Sequence, residues 1–595
     1  MTDTSTPRVI AETVAALPGS AAERYPSHIA ARYRSGDEWR ELSYTDAGKA
    51  IDEIALGLID LGVEPGDRVC LLANTRIEWT LASFAISAAG AVVVPVYPTN
   101  SPQECQWVAG NSGAKAAICE NAGQLAKFEQ IRDQLPELQH LIGVDAGVGD
   151  ATLDDLRSRG AQRDRAELAH RQENVKPDDA YTIVYTSGTT GPPKGVVLTH
   201  ANAMFVGLVA EELEFIRSDE TIYLYLPLAH VFALITQLGS FDQGTTLVFF
   251  GGDTKAILQE IIETKPTYVP SVPRIFEKLY AAATGMAGAD PEGFKKAIKL
   301  GVEVRGRRQR GEDVPEEMQA QFAQADEQIF VKVRQLFGGH VRQAVSGAAP
   351  IAPEILEFFY AAGVPVLEGW GMTESTGVGT VGTLDDFKFG TVGRAVPGVE
   401  IRIAEEDGEI LMRGPNIFRE YWKNPEATAE TLIDGWLHTG DLGELDDEGF
   451  LKIIGRKKDI IITAGGKNLT PSNLENDLKQ CRFISQAVMY GDRKPYPVAL
   501  ITLDPEEIVP WAKQQGLPED LAELAEQEPV RELVQKELAR ANSNYAQVEQ
   551  VKKFKILDHD LSIETGELTP TLKVKRNVVY DRYGDLFESM YGGGG

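Results

Sequence analysis

Short apolar runs alternate with amphipathic segments through the first part of the chain. Residues 47–61 carry apolar side chains at helical spacing and 78–89 repeat that spacing, whereas 67–72 and 91–95 are short apolar runs. This alternation predicts βαβ units and a mostly parallel sheet. Further strands are predicted at residue 142, 223–227, 245–250, 268 and 364–368.

The pattern changes twice further along the chain. Residues 287–336 are polar and helical in period, which predicts either a helical excursion on the domain surface or a charged linker. After residue 398 short strands follow one another, at 400–403 and 409–413, which predicts a small β subdomain over about 399–455.

A domain boundary is predicted near residues 455–459. Strands are expected beyond it at 460–463, 486–490 and 498–502, and helices at about 520–541. The predicted fold is therefore α/β, with a large N-terminal domain (residues 1–457) and a smaller, mobile α+β C-terminal domain (458–595). A length of 595 residues also exceeds what one hydrophobic core supports.

The formal net charge of −29 limits the partners of this chain. Nucleic acid is excluded as a partner, because it requires a basic face. A site for any smaller anion must carry its own cations, which dominate locally because salt screens charges over roughly 8 Å. Seven cations are candidates for that role: Lys194, Arg456, Lys457, Lys458, Lys573, Lys575 and Arg576.

The cysteines and the apolar stretches favour a cytoplasmic protein. Four cysteines are scattered without metal-ligand spacing, so free thiols in a reducing compartment are expected. No secretory signal and no transmembrane segment are predicted. A transient peripheral contact with membranes stays open, although no basic amphipathic helix supports it. The oligomeric state and the origin of the glycine tail at 592–595 stay open.

Residues 185–195 have the composition of a polyphosphate-binding loop. Their glycines let successive N–H groups face one anion, their hydroxyls add donors, and Lys194 adds a charge. A Walker A loop is excluded, because Lys194 lies between Pro193 and Gly195. A plain hairpin turn is the alternative. The candidate ligands are Thr186, Ser187, Gly188, Thr189, Thr190, Gly191 and Lys194.

Further motifs follow this loop in the sequence, and the resemblance to a known superfamily rests on their order. They are the small-residue segment 346–350, the segment Glu368-Gly-Trp-Gly-Met-Thr-Glu374, the Thr-Gly-Asp of 439–441, the basic run 456–458, the glycine loop 463–468 and the segment 566–576. From about residue 25 to about 580 the chain resembles the adenylate-forming superfamily of acyl-CoA synthetases, luciferases and nonribosomal peptide synthetase adenylation domains.

The resemblance implies a nucleotide site. Asp441 would accept the ribose hydroxyls, Arg456 would reach the ribose and phosphates, and Glu374 would hold Mg²⁺, a cation that prefers oxygen ligands. Trp370 would stack on the adenine and Thr373 would lie near the α-phosphate. The remaining residues implied at the adenine are Gly347, Ala348, Ala349, Glu368, Gly369 and Gly371.

The resemblance also implies mobile parts and a catalytic lysine. Lys458 occupies the hinge position, and Gly465 and Gly466 belong to a loop that approaches the site in the second half-reaction. Lys573 aligns with the adenylation lysine, although Leu572 stands where much of the family has glycine, so Lys575 competes for that role. His230 occupies the position of a His or aromatic side chain near the bound carboxylate, and a satisfied core histidine is the alternative.

Residues 269–278 look like the long-chain fatty acyl branch of this superfamily. The runs 231–238 and 377–382 are candidates for an acyl tunnel or are simply core. The implied activity is a long-chain fatty acid–CoA ligase that uses ATP, Mg²⁺ and CoA. Three alternatives are a fatty acyl-AMP ligase that loads an acyl carrier protein, a CoA ligase for a shorter or aryl acid, and an inert nucleotide-binding regulator.

Overall fold

The computed structural model describes residues 11–186, 192–287, 290–464, 468–569 and 573–592. The strands in these ranges are β1 (Ile29–Ser35), β2 (Glu38–Ser43), β3 (Arg68–Leu72), β4 (Val92–Val96), β5 (Ala114–Cys119), β6 (His140–Gly143), β7 (Ala151–Thr152), β8 (Ala180–Thr186), β9 (Lys194–Thr199), β10 (Thr221–Leu224), β11 (Thr246–Phe249), β12 (Tyr268–Ser271), β13 (Gln343–Ser346), β14 (Val366–Trp370), β15 (Thr380–Val381), β16 (Arg394–Ala395), β17 (Glu400–Ile403), β18 (Glu409–Arg413), β19 (Glu420–Tyr421), β20 (Leu432–Ile433), β21 (Trp436–Leu445), β22 (Leu451–Arg456), β23 (Ile461–Ile462), β24 (Asn468–Leu469), β25 (Ile484–Tyr490), β26 (Val498–Leu503) and β27 (Lys553–Ile556).

The α-helices over the same ranges are α1 (Leu17–Arg24), α2 (Tyr44–Asp60), α3 (Ile77–Ala88), α4 (Pro102–Ser112), α5 (Ala122–Ile131), α6 (Leu153–Gly160), α7 (Arg165–Asn174), α8 (His200–Glu212), α9 (Val231–Gln243), α10 (Ile257–Thr264), α11 (Pro273–Ala287), α12 (Pro291–Gln309), α13 (Glu316–Ala325), α14 (Val331–Leu336), α15 (Pro353–Ala362), α16 (Pro425–Thr431), α17 (Pro471–Lys479), α18 (Pro505–Gln514), α19 (Leu521–Ala525), α20 (Glu528–Asn542), α21 (Arg576–Arg582) and α22 (Gly584–Ser589). No helix of these ranges combines the length and the apolar character needed to cross a bilayer.

Two large sheets form the framework of the N-terminal domain. One has the described order β16-β15-β14-β13-β12-β10-β11-β1-β2, and the other has the order β19-β9-β8-β4-β3-β5-β6-β7. Strands β3 to β7 are parallel, as are β10 to β14 with β11 and β1, and helices connect most of them, as parallel pairing requires. The apolar strands β3 and β4 are buried on both faces, as expected for a parallel sheet covered by helices.

Three smaller sheets complete the fold. Strands β17, β18, β20, β21 and β22 make the β subdomain, while β25, β26 and β27 make the sheet of the C-terminal domain around a core of its own. The predicted α/β class, with a large N-terminal and a smaller C-terminal domain, is confirmed.

The polar stretch after residue 287 contains the helices α12, α13 and α14, whose apolar side chains join the core of the large domain. A charged linker is therefore the wrong interpretation of that stretch.

The prediction of free cysteine thiols is confirmed for the described residues. Cys70, Cys105 and Cys119 are buried and unbridged, and Cys481 is partly exposed and unbridged. Burial raises the pKa of Cys105 to about 12, so that thiol stays protonated and unreactive at neutral pH.

Candidate active site

A cleft of about 2190 Å³ opens between the two domains. The ends of the central strands form one wall, and residues from the C-terminal domain form the opposite wall. The cleft brings together the described members of the predicted site: Thr186, Lys194, His230, Gly347, Ala348, Ala349, Glu368, Gly369, Trp370, Gly371, Thr373, Glu374, Asp441, Arg456, Lys458 and Lys573. The other members lie outside the described residues: Ser187, Gly188, Thr189, Thr190, Gly191, Gly465 and Gly466.

The two flanks of the glycine-rich loop are held by helix α4. The loop leaves β8 at Thr186 and returns at Lys194, and these two residues pair across the antiparallel strands. The Tyr185 hydroxyl donates to Asn111 Oδ1 at 2.6 Å, and the Trp107 indole N–H donates to the Pro193 carbonyl at 2.9 Å. Neither α4 side chain was a sequence candidate. Both fix the backbone from which the loop starts and ends.

Glu374 is a buried carboxylate beside the loop flank. The Tyr421 hydroxyl donates to its Oε1 at 2.7 Å, and Lys194 Nζ lies 4.9 Å from the centre of the Tyr421 ring. Burial raises the pKa of Glu374. Tyr421 is brought here by β19, which pairs with β9. It was missed in the sequence because a lone tyrosine in a mixed polar and aromatic segment carries no motif.

The surroundings of Glu374 suit Mg²⁺, an ion that needs fewer protein ligands than a metal enclosed entirely by side chains. No cluster of three or more His, Cys, Asp or Glu side chains suited to hold a metal occurs among the described residues. Mg²⁺ is typically bound by one or two carboxylates together with substrate phosphates. A single buried carboxylate beside the flank of a polyphosphate-type loop fits that requirement.

Asp441 joins two motifs that lie far apart in the sequence. The Trp370 indole N–H donates to Asp441 Oδ2 at 2.9 Å, and Arg456 Nε donates to Oδ1 at 2.8 Å. Asp441 and Arg456 are direct partners across β21 and β22. The Asp441 carboxylate raises the pKa of Arg456. The Thr-Gly-Asp segment therefore lies within a strand and is not a free turn.

Glu409 stabilises the strand that carries Asp441. Its Oε1 accepts from the Gly440 N–H at 2.8 Å, and its Oε2 accepts from Lys457 Nζ at 3.2 Å. Lys457 also pairs with Asp407 at 2.5 Å. In the same way, Arg576 Nη1 donates to Glu475 Oε1 at 2.7 Å. Lys457 and Arg576 are thus neutralised by protein carboxylates, which weakens their predicted role as anion ligands.

The small-residue segment 346–350 and the loop after Trp370 each contain a residue with positive φ. Ala348 has φ = +68° and Thr376 has φ = +52°, a left-handed conformation that costs a residue with a side chain about 1 kcal/mol. At Gly371 an added Cβ would lie 2.5 Å from the carbonyl carbon of Gly377. Because that neighbour is backbone, only glycine permits this approach.

His230 lies at the junction of strand and helix and has a defined protonation state. Its Nδ1 accepts from the Phe232 N–H at 3.2 Å and so caps α9. Burial, and then the Lys573 charge, lower the pKa of His230 to about 3. The ring is therefore neutral, and because Nδ1 is the acceptor, its proton is at Nε2.

Lys573 enters the cleft from the C-terminal domain. The residue as a whole is exposed, but its ammonium is buried among the protein groups that line the cleft. This burial, followed by the neighbouring Arg456 charge, lowers its pKa to about 8, while Asp441 opposes the shift. Lys575 also lines the cleft. The electrostatic coupling to Arg456, Asp441 and His230 distinguishes Lys573 from Lys575.

The apolar end of the cleft lies between α8 and α9. From α9 the side chains of Val231, Phe232 and Ile235 line the cleft, whereas Leu234 and Leu238 belong to the core. The run 231–238 is thus divided between the cleft and the core. Of the other two candidate segments, Gly377, Val378, Val381, Val272, Pro273, Arg274 and Glu277 line the cleft. Helix α8 contributes Val206, Val209 and Ala210, which the sequence did not suggest.

Comparison with known proteins gives a consistent family assignment. The model of the AMP-binding enzyme family matches residues 20–422, and that of the AMP-binding enzyme C-terminal domain matches 458–594. Long-chain-fatty-acid--CoA ligase FadD15 of Mycobacterium bovis is 40% identical over 559 residues, which are 93% of this chain and 92% of the relative. Long-chain-fatty-acid--CoA ligase ACSBG2 of Xenopus laevis is 32% identical over 97% of this chain and 84% of its own.

A solved structure agrees on the fold. The adenylation domain of the carboxylate reductase from Mycobacterium chelonae superposes with a TM-score of 0.78 at 21% identity, over 99% of this chain and 92% of that chain. The chain belongs to the AMP-binding, adenylate-forming enzyme family. Within it, the chain falls in the long-chain fatty acid–CoA ligase branch, as its similarity to the FadD15 and ACSBG2 proteins shows.

Proposed function

We propose that this protein is a long-chain fatty acid–CoA ligase that acts in the cytoplasm. It would convert a fatty acid and ATP to acyl-AMP and pyrophosphate, and then convert acyl-AMP and CoA to acyl-CoA and AMP. The observation that carries this proposal is the meeting of Trp370, Asp441 and Arg456 in one cleft with Lys573 of the other domain.

In the first half-reaction a carboxylate oxygen of the fatty acid bonds to the α-phosphorus of ATP. The bond from that phosphorus to the bridging oxygen breaks, and pyrophosphate leaves. Lys573 would neutralise charge that develops at the α-phosphate, and preorganised charge of this kind is often the largest catalytic contribution. Lys194 would hold the outer phosphates. His230 would donate from Nε2 to the carboxylate without acting as a base, since a carboxylate at neutral pH is already ionised.

Mg²⁺ fits the first half-reaction at Glu374. When bound, the ion would neutralise phosphate charge and orient the leaving pyrophosphate. The chain's own contribution is to hold the Glu374 carboxylate through the Tyr421 hydroxyl and to place Lys194 beside it.

The second half-reaction requires the C-terminal domain to move. The CoA sulfur bonds to the acyl carbon, the bond from that carbon to the AMP oxygen breaks, and the thiol proton is released. We place the pivot at Lys458, in the short 3₁₀ turn Lys457–Asp459 that follows β22, and we place the domain boundary there. Rotation would withdraw Lys573 and open the cleft to the thiol.

The apolar walls of α8 and α9 favour a long aliphatic acid. The side chains of Val206, Val209 and Ile235 offer aliphatic surface to a fatty acyl chain. They carry no charge that would bind a second polar group of the substrate. Burying each methylene of a fatty chain stabilises the complex by about 0.8 kcal/mol. The relatives named above act on long-chain fatty acids and CoA, so neither an acyl carrier protein nor a short or aryl acid is favoured.

The proposal is tested by pyrophosphate release with ATP, Mg²⁺ and carboxylates from acetate to stearate, with and without CoA. We expect turnover that requires both a long chain and CoA. A single burst of pyrophosphate that CoA does not convert to turnover would contradict the thioester step. Turnover with acetate or benzoate alone would contradict the assigned substrate class.

A further inference from the structure

The Lys573 side chain is presented by two paired segments, residues 567–569 and 573–575, which together are called the hairpin below. Leu568 and Val574 form an antiparallel bridge, and the Lys575 N–H donates to the Glu567 carbonyl at 2.7 Å. Closer to the tip, the Thr569 N–H donates to the Lys573 carbonyl at 2.8 Å, and the Lys573 N–H donates to Thr569 Oγ1 at 3.0 Å. The backbone of Lys573 is therefore bonded to Thr569 through both its donor and its acceptor.

The base of this hairpin rests on the side chain of Glu567, which has no exposed surface. Its Oε1 accepts from the Tyr583 hydroxyl at 2.5 Å and from Arg582 Nη1 at 2.7 Å. Its Oε2 accepts from Thr565 Oγ1 at 2.5 Å. A buried carboxylate is tolerated only when its oxygens are satisfied in this manner. The hydrogen bonds keep the pKa of Glu567 below its ordinary value, although burial opposes them.

These bonds tie the hairpin to the end of α21. Tyr583 and Arg582 end that helix, and the Tyr583 hydroxyl also lies 3.0 Å from His559 Nε2. Glu567 does not line the cleft, whereas its neighbours Leu568 and Thr569 do. The carboxylate thus has no route to substrate and acts on the site only through the hairpin.

We propose that Glu567 is a positioning residue for the adenylation half-reaction. The inference rests on the proposed function, because it assigns to Glu567 the placing of the Lys573 ammonium at the reacting phosphate. A lysine ammonium ends a flexible four-carbon stem, so its position depends on a fixed backbone beneath it. A displacement of about 1 Å at a reacting group can cost a factor of about 100 in rate.

The test separates the two half-reactions of the full-length enzyme. Glu567→Gln keeps the shape of the side chain but removes its charge. We expect acyl-AMP formation, measured as the first-turnover rate of pyrophosphate release, to fall about tenfold or more. Thioester formation from supplied acyl-AMP and CoA should stay within about twofold, because Lys573 is withdrawn in that step. Tyr583→Phe removes a single donor and should show the same selectivity with a smaller loss.

Asp477→Asn serves as the matched control. It removes a partly buried carboxylate partner of the Tyr545 hydroxyl (2.7 Å) in the same domain but does not contact the hairpin. It should lower Tm to a similar extent and affect the two half-reactions equally. Equal loss of both half-reactions in Glu567→Gln, or unchanged adenylation, would overturn the inference. Absence of acyl-AMP formation in the unmodified enzyme would instead refute the proposed function.

Discussion

The Lys573 ammonium lies in the cleft, where the charge of a second cation, Arg456, acts on it. Burial and then the Arg456 charge lower its pKa from 10.5 to about 8. Below that pH the amine carries the charge that the adenylation step needs, and above it the amine is neutral. The required charge is therefore lost as pH rises through the pKa.

We expect kcat/KM for acyl-AMP formation to decline above about pH 8, approaching tenfold per pH unit, because kcat/KM reports the ionisation of the free enzyme. The measurement is pyrophosphate release between about pH 6.5 and pH 9.5. Lys573→Arg, whose charge persists at high pH, should be slower but flat over that range. Lys575→Ala should keep the decline of the unmodified enzyme. A flat profile for the unmodified enzyme would contradict the assignment of Lys573.

The residues that carry the chemistry could be identified from short motifs, but the residues that hold them could not. Trp370, Asp441 and Arg456 each stand in a recognisable segment. Tyr421 does not, and Glu567 lies in the segment 566–576 without being a candidate there, because the importance of both residues comes from contacts that the fold creates. The Tyr421–Glu374 bond joins residues 47 positions apart, and nothing in the local sequence of either residue indicates the other.

Helix α4 illustrates how an element without a motif supports the site. Its N-terminus has a Ser101–Glu104 capping box, and it ends at Gly113 with φ = +69°. Near its C-terminus the Asn111 carbonyl accepts from the Trp422 indole N–H at 3.1 Å. The helix thereby connects the flanks of the glycine-rich loop to the segment that follows Tyr421.

We expect Trp107→Phe to raise KM for ATP about two- to tenfold, the effect of losing one hydrogen bond. The ring is kept, but the Pro193 carbonyl loses its donor, so the loop flank becomes less fixed. KM for the fatty acid should not change. Trp39→Phe is the matched control, because Trp39 of β2 packs against Arg34 of β1, and it should leave all constants unchanged. Equal changes in KM for ATP and for the fatty acid would show that the effect is not specific to the loop.

The elements predicted from the hydrophobic pattern are present in the structure, and the differences in their extent have local causes. Helix α2 begins before residue 47 because Ser43 accepts from the Asp46 N–H and caps the helix at Tyr44. The helices predicted over 520–541 are α19 and α20, and Pro529 lies in the first turn of the second. The Thr-Gly-Asp segment is a strand because distant residues on β18 and β22 pair with it.

On the scale of the whole molecule, ion pairs connect helix α11 of the large domain to the start of α18 in the small domain. Lys278 Nζ lies 2.6 Å from Glu506 Oε2, and Arg274 pairs with Asp504. Lys479 faces Glu277 across the same interface, and burial lowers the pKa of this lysine. Charge complementarity therefore favours the orientation in which Lys573 occupies the cleft.

We expect Lys278→Glu to slow adenylation up to about fivefold, because an exposed ion pair contributes at most about 1 kcal/mol. Thioester formation from supplied acyl-AMP should be unaffected or faster. The charge-swapped double variant Lys278→Glu/Glu506→Lys should recover most of the loss. First-turnover rates of the two single variants and the double variant measure this coupling. A double variant no faster than either single variant would show that the pair does not contribute to docking.

The pairing of Asp441 with Arg456 joins two events in the catalytic cycle. Arg456 is the last residue of β22, and the turn containing the proposed pivot Lys458 begins at the next residue. A nucleotide that binds Asp441 must therefore compete with a partner that lies two residues from the pivot. Departure of AMP would restore the Asp441–Arg456 pair. Because β22 leads directly to the pivot, the restored pair would return the small domain to the orientation needed for the next round. The pairing of β21 with β22 would then set the rate at which one turnover follows another.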